Sequence, residues 1–396
     1  MAPQPIVATI CGASEQQRKA AGWMLVSLSV DPHLSETVVA QGALPGLVEY
    51  IRSPDARLQE EAAWALANLS ALSSNAAPMA QAGAHHVLID ILKKGPDIKV
   101  AMQAIWTLAN LAVNDALKRT IGQAGAASVL LDHLESCLNC PAQDDDRETS
   151  TNAMVQATRA IANLAVDASN RPRISAAEGM SRLLKALEHT ALAEVALRAL
   201  VNLTHDATLV QSLIKHGGID AVVQSMRSGC AKVQHEAVLV TLNIAARQGD
   251  ALVNNGVLEV LTHLIEDRAS ADKVKEHAAR VLHTLAKLNV HAKMAIVSAG
   301  VLRRLGRLDL STSPIDLQEA CREVVVALGS VLTPSSRRAL LQASLLPQEL
   351  HPSVRRSSRK GGQHRKPSPL SVVSSAPLAL QEKATEKIAL LCGQHM

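Results

Sequence analysis

LQEEAAWALANLS, residues 58–70, decides the fold of this 396-residue chain. Ala62, Leu66 and Leu69 fall on one stripe at helical spacing, the mark of a helix with a single buried face. Trp64 and Asn68 lie off that stripe and share another face, because residues four apart stack on a helix. The segment returns as AMQAIWTLANLAV (101–113), MVQATRAIANLAV (154–166), AEVALRALVNLTH (193–205) and VQHEAVLVTLNIA (233–245). The asparagines align as Asn68, Asn110, Asn163, Asn202 and Asn243, at spacings of 42, 53, 39 and 41 residues. Trp23, Trp64 and Trp106 are the only tryptophans and are 41 and 42 residues apart. With no Phe and one Tyr in the chain, large rings are not its general core filler.

A second pattern separates these segments: a short helical stretch, a glycine, then an apolar helix. It reads QGALPGLVEYI (41–51), QAGAHHVLIDIL (81–92), QAGAASVLLDHL (123–134), AEGMSRLLKAL (177–187), HGGIDAVVQSM (216–226), NNGVLEVLTHL (254–264) and SAGVLRRLGRL (298–308). Glycine tolerates the left-handed backbone of a sharp interhelical turn, and Pro45 suits a first helical turn. Each unit is therefore three helices, and no unit alone can bury its apolar stripe, so the units must stack. Period and motif resemble armadillo repeats over roughly residues 14–345. The resemblance implies an all-α, right-handed α-solenoid of seven to eight three-helix repeats, the last degenerate (LQEACREVVVALGSVL, 317–332).

Outside the repeats, residues 1–13 read as a leader. The 53-residue spacing marks an insertion, CLNCPAQDDDRETS (137–150), whose Pro and Asp run predict a solvated loop. From 346 to 396 the helical period stops, and the Ser, Pro, Gly and Arg content predicts a disordered basic tail with a helix-forming segment at 378–393. Residues 337–396 carry ten Lys/Arg and three Asp/Glu, a net of +7; against +4 for the chain, the remainder is at about −3. Six cysteines make no disulfide framework, no apolar run reaches 18 residues, and the N-terminus does not read as a signal peptide. A cytoplasmic or nuclear location is the expectation.

A ring and an amide one turn apart, repeated along a stack, form a ladder for an extended peptide. The amide offers both a donor and an acceptor to a threaded backbone. Slots between indoles accept aliphatic stems with a cationic head over a ring. Here the resemblance narrows to the importin-α receptors for basic localisation signals, whose motif is Glu, then Trp three later, then Asn four later. Glu61, Trp64 and Asn68 match it in full; Gln103, Trp106 and Asn110 lack the carboxylate; Ala20, Trp23 and Ser27 keep only the ring. The basic arm that precedes the repeats in those receptors is not matched. Further along, Arg159 and Arg198 take the tryptophan position beside Asn163 and Asn202, and Leu239 precedes Asn243. Such arginines favour acidic or phosphorylated ligands, which resembles the basic groove of β-catenin.

Function is therefore expected to be non-enzymatic: a scaffold or adaptor gripping extended protein segments, an importin-α-like receptor in its narrower form. No glycine-rich phosphate loop, G-x-S-x-G or nucleophile–base pair is present, and no cofactor or small-molecule substrate is expected. His133, Cys137 and Cys140 have a faint zinc-like spacing without a second pair, so no metal is expected. The basic cluster from Arg355 to Lys366 could occupy the chain's own groove. As another class of function, the tail could bind nucleic acid or an anionic membrane through phosphate contacts.

Overall fold

Repeat 2 shows how the sequence builds a unit. Asp31 caps the helix Pro32–Ala40, its carboxylate accepting from the backbone N–H of His33 and Leu34, with proline in the first turn. Gly42 turns the chain at φ +81° into Leu44–Tyr50. Asp55 then caps Ala56–Ser70, accepting from Arg57 and Leu58. The computed structural model describes residues 15–139, 146–307, 313–332, 340 and 345. The chain divides into two compact units, 1–347 and 348–396, and the second lies outside the described residues. The predicted leader 1–13, the tail 346–396 and residues 140–145 of the insertion also lie outside them.

Among the described residues eight long helices follow one another, one per repeat: Glu15–Ser29, Ala56–Ser70, Ile98–Leu111, Arg147–Val166, Ala193–Leu203, Ala231–Val253, Asp272–Leu288 and Ile315–Ala327. Each packs on its neighbour or neighbours in this series. These helices touch along more of their length than the outer helices of successive repeats do, so they form one continuous layer, whose open side is the inner face. The core between them is Ala, Leu, Ile and Val; Ala62, Ala63, Leu66, Leu69, Ala104, Ile105 and Leu108 are almost wholly buried. Alanine at the closest approaches lets the backbones draw together without a void.

Three local features depart from the simple reading. The helices flanking the insertion run further into it than the composition predicts, since Ala126–Asn139 includes Cys137 and Arg147–Val166 starts before Ser150. Between repeats 6 and 7 the expected turn is a kink inside one helix, Ala231–Val253, at Gln248 (φ −141°, ψ 44°). Gly249 there lies so close to Leu288 that a Cβ would come within 2.2 Å of its Cδ1, so the kinked backbone is packed directly on the next long helix.

The third departure is the turn of repeat 5. Gly83, Gly217, Gly256 and Gly300 all take left-handed φ angles of 70–76° at this turn. In AEGM the left-handed residue is instead Glu178, at φ +52°. Gly179 is kept for another reason: a Cβ on it would meet the Ile174 side chain at 2.5 Å and its carbonyl oxygen at 2.7 Å. A non-glycine residue in this region costs about 1 kcal/mol or more. Glu178→Gly is therefore expected to stabilise the solenoid by about 1 kcal/mol, read as a higher urea midpoint; an unchanged or lower midpoint contradicts the strain.

Candidate functional site

The long helices place Trp23, Trp64 and Trp106 on adjacent repeats, at the same phase of the inner face. Their exposures are 64, 48 and 37%. The largest value belongs to the first described repeat, whose ring has a neighbouring long helix on one side only among the described residues. Among the described residues no hydrogen bond engages the three indole N–H groups. A ring this open forgoes the burial energy that normally holds tryptophan in a core, and three in a row are a patch rather than scatter.

The asparagines one turn later lock the stack. Asn68 Nδ2 donates to Ser29 Oγ at 3.0 Å, and Asn110 Nδ2 donates to Ser70 Oγ at 3.0 Å. Both hydroxyls pass the bond on, to the carbonyls of Val26 and Ala67. In the next two repeats the hydroxyl position holds Ala112 and Ala165. There Asn163 Nδ2 donates to the Ala109 carbonyl at 3.2 Å and Asn202 Nδ2 to the Ala162 carbonyl at 2.9 Å. Asn243 meets both kinds of acceptor, the Val201 carbonyl and Thr204 Oγ1, each at 3.0 Å. Every one of these amides thus donates to the preceding repeat, leaving its oxygen without a donor among the described residues.

The remaining sequence-predicted residues divide. Glu61 is buried: Oε1 accepts from Arg57 Nε at 2.9 Å, while Oε2 has no partner and sits where a Cβ on Gly22 would approach to 2.4 Å. It is the floor between repeats 1 and 2 rather than an exposed contact. Gln103 is half-buried one turn before Thr107, whose hydroxyl donates to its carbonyl. Ala20 has no described side chain, and Ser27 donates to the Trp23 carbonyl. Arg159 is half-exposed, 3.4 Å from Gln156 Oε1. Arg198 lies between two carboxylates, 3.2 Å from Glu194 and 3.8 Å from Glu236. Burial pushes Glu236 above the usual carboxylate range, an effect that Arg198 opposes and Glu194 reinforces.

Repeat 7 adds a cluster the sequence did not single out. His235 and His277 meet edge to face with ring centroids 5.1 Å apart. Beside them Glu276 is buried and accepts from Lys273 at 2.9 Å and Arg280 at 2.8 Å. Burial works against its ionisation, but the Lys273 bond and the Arg280 and Lys273 charges outweigh it and hold it below its ordinary value. His277 has a buried Nδ1 without a partner. Burial, with the His235 and Arg280 charges against the opposing pull of Glu276, brings it down to about 4. The His133 ring lies 3.6 Å from Cys137 Sγ; burial lowers the one and raises the other. No cluster of three or more metal-binding side chains is found among the described residues, and Cys140 lies outside them.

Comparison with known proteins agrees with this architecture. Residues 31–71 match the family model Armadillo/beta-catenin-like repeat. No curated protein matches the sequence. An engineered protein solved by the Northeast Structural Genomics Consortium superposes with a TM-score of 0.75 at 26% identity, over 87% of this chain and 82% of that one. A second engineered protein from the same consortium gives 0.54 at 26% identity, over 61% of this chain and 96% of that one. A designed armadillo repeat protein gives 0.54 at 22% identity, over 64% of this chain and all of that one.

The histidine cluster has a pH signature. The unfolded His277 takes a proton near 6.5 and the folded one near 4. The stability that its neutral form contributes is whole above pH 6.5 and lost as the pH falls toward 4. The difference corresponds to about 3 kcal/mol. Denaturation midpoints measured at pH 7.5 and pH 5 should fall with acid in the parent and fall less in His277→Gln; equal slopes contradict the assignment.

Proposed function

We propose that this armadillo-repeat solenoid is a protein-interaction scaffold whose inner face grips an extended segment of another protein. The row Trp23, Trp64 and Trp106 receives lysine or arginine side chains of that segment. The observation that carries this reading is the exposure of all three rings on one face, each at the same phase of its long helix. Aliphatic stems fit between flat rings, and a cationic head over an indole adds about 0.5–2 kcal/mol. Asn68 and Asn110 have spent a donor on the repeat before them, and their oxygens remain for backbone N–H groups of the ligand. Asn163, Asn202 and Asn243 extend the same row of acceptors. The narrower form of this reading is an importin-α-like receptor for basic localisation segments.

A specific feature of the sequence favours an internal competitor as well. The cluster VRRSSRKGGQHRK, containing Arg355 to Lys366, has the composition the rings would accept. On this reading the tail occupies the groove part of the time, and removing residues 351–396 strengthens binding of an external peptide.

Tryptophan fluorescence of the whole chain, titrated with a lysine-rich peptide, tests the proposal. A saturable change is expected, and Trp64→Ala/Trp106→Ala should weaken binding at least about tenfold, the loss of two cation–ring contacts of modest strength. Unaltered affinity in the double variant, or no binding by the parent, overturns it.

A further inference from the structure

The tryptophan phase of the later repeats holds three arginines, Arg159, Arg198 and Arg280. They look alike in sequence and differ in surroundings. Arg198 is shared by Glu194 and Glu236. Arg280 is bound to Glu276, which Lys273 also holds. Arg159 has no carboxylate partner among the described residues; it donates a side-chain hydrogen bond to the neutral Gln156. The amide one turn on, Asn163, is tied to the Ala109 carbonyl. With that bond, the Arg159 position follows the Trp106 position as the next step along the row of long helices. The row of open rings therefore ends on an unneutralised guanidinium, and the next arginine is already satisfied.

Resting on the groove reading above, we propose that Arg159 is a specificity residue that receives an Asp or Glu side chain of the bound segment. The ligand is then a peptide of mixed charge: a lysine or arginine between Trp64 and Trp106, and a carboxylate further along. Neighbouring helices pack about 8–10 Å apart and an extended chain advances about 3.3 Å per residue. Arg159 lies roughly one and a half repeats beyond the middle of the Trp64–Trp106 slot, so the two ligand charges are separated by about three to five residues. A carboxylate is the anion that fits, because its single negative charge is balanced by the one guanidinium that pairs with it. A phosphate dianion would need a second cation, and the nearest candidate in the row, Arg198, is held by two glutamates. The repulsive side of the same arrangement is that an uninterrupted run of lysines meets Arg159 with like charge, so it still binds the rings but more weakly than a segment with a carboxylate there.

The experiment is a fluorescence titration of the whole chain with peptides carrying one lysine pair and a test residue walked three to five positions to either side. Glu at the preferred position is expected to bind about fivefold more tightly than Gln, the strength of a partly exposed ion pair, and Lys more weakly than Gln. Arg159→Gln should erase the Glu–Gln difference while leaving the Gln peptide's affinity in place. Arg159→Glu should invert the order and favour Lys, a gain that misfolding cannot imitate. Equal affinity for Glu and Gln peptides in the parent, or a difference that survives in Arg159→Gln, overturns the Arg159 assignment and leaves the groove reading standing. A phosphoserine peptide binding more than tenfold tighter than the Glu peptide overturns the carboxylate assignment. Absence of binding by every peptide defeats the groove reading itself, and this inference with it.

Discussion

A side-chain amide that reaches from one long helix to the helix before it governs this molecule. An α-solenoid has no sheet to register its repeats; Ala and Leu surfaces slide over one another at little cost. A directional bond at each of the first five junctions removes that freedom. Five consecutive asparagines supply it, and each finds whichever acceptor the previous repeat presents. The acceptor is a hydroxyl where Ser29, Ser70 or Thr204 stands, and a backbone carbonyl where Ala112 or Ala165 has taken that place. Buried Asn75 and Asn170 add a second set, donating to Ser35 Oγ and the Leu69 carbonyl and to the Lys118 and Leu164 carbonyls. Beyond Asn243 the equivalent position is Thr284, whose hydroxyl turns back into its own helix. There the repeats are joined by pairs such as His283–Glu323 and Lys273–Asp316.

Register is what turns separate side chains into a surface. With the helices locked one turn beyond the rings, the three indoles leave their helices at one phase and form an open row. The same lock aligns the arginines that follow. Two of these are neutralised by neighbouring glutamates, and Arg159 has no carboxylate beside it among the described residues. The inner face is thus divided by chemistry: rings at repeats 1–3, one bare cation at repeat 4, and paired charges with a buried histidine cluster at repeats 5–7.

The period, the three-helix unit and the phase of Trp and Asn were legible in the sequence because each is a local spacing repeated many times. The glycine turns were legible for the same reason. What escaped depends on which residue faces which across a junction of about forty positions. Glu194 is visible as a partner of Arg198 four residues away; Glu236 is not, because it arrives from the next repeat. Glu61 matches a ligand-facing motif yet is buried, since Gly22 opposite leaves a space that its carboxylate fills. The asparagines read as both donors and acceptors to a ligand, whereas their N–H groups serve the fold first. In AEGM the glycine marked the right turn at the wrong residue, because close packing against Ile174 requires it one position later.

Acrylamide quenching of tryptophan fluorescence, with and without a saturating lysine-rich peptide, tests most directly that a locked row of open rings is where a ligand lies. The account predicts efficient quenching of the free protein, with emission typical of rings in water, and strong protection once the peptide is bound. Poor quenching of the free protein, or protection unchanged by a bound peptide, would contradict it.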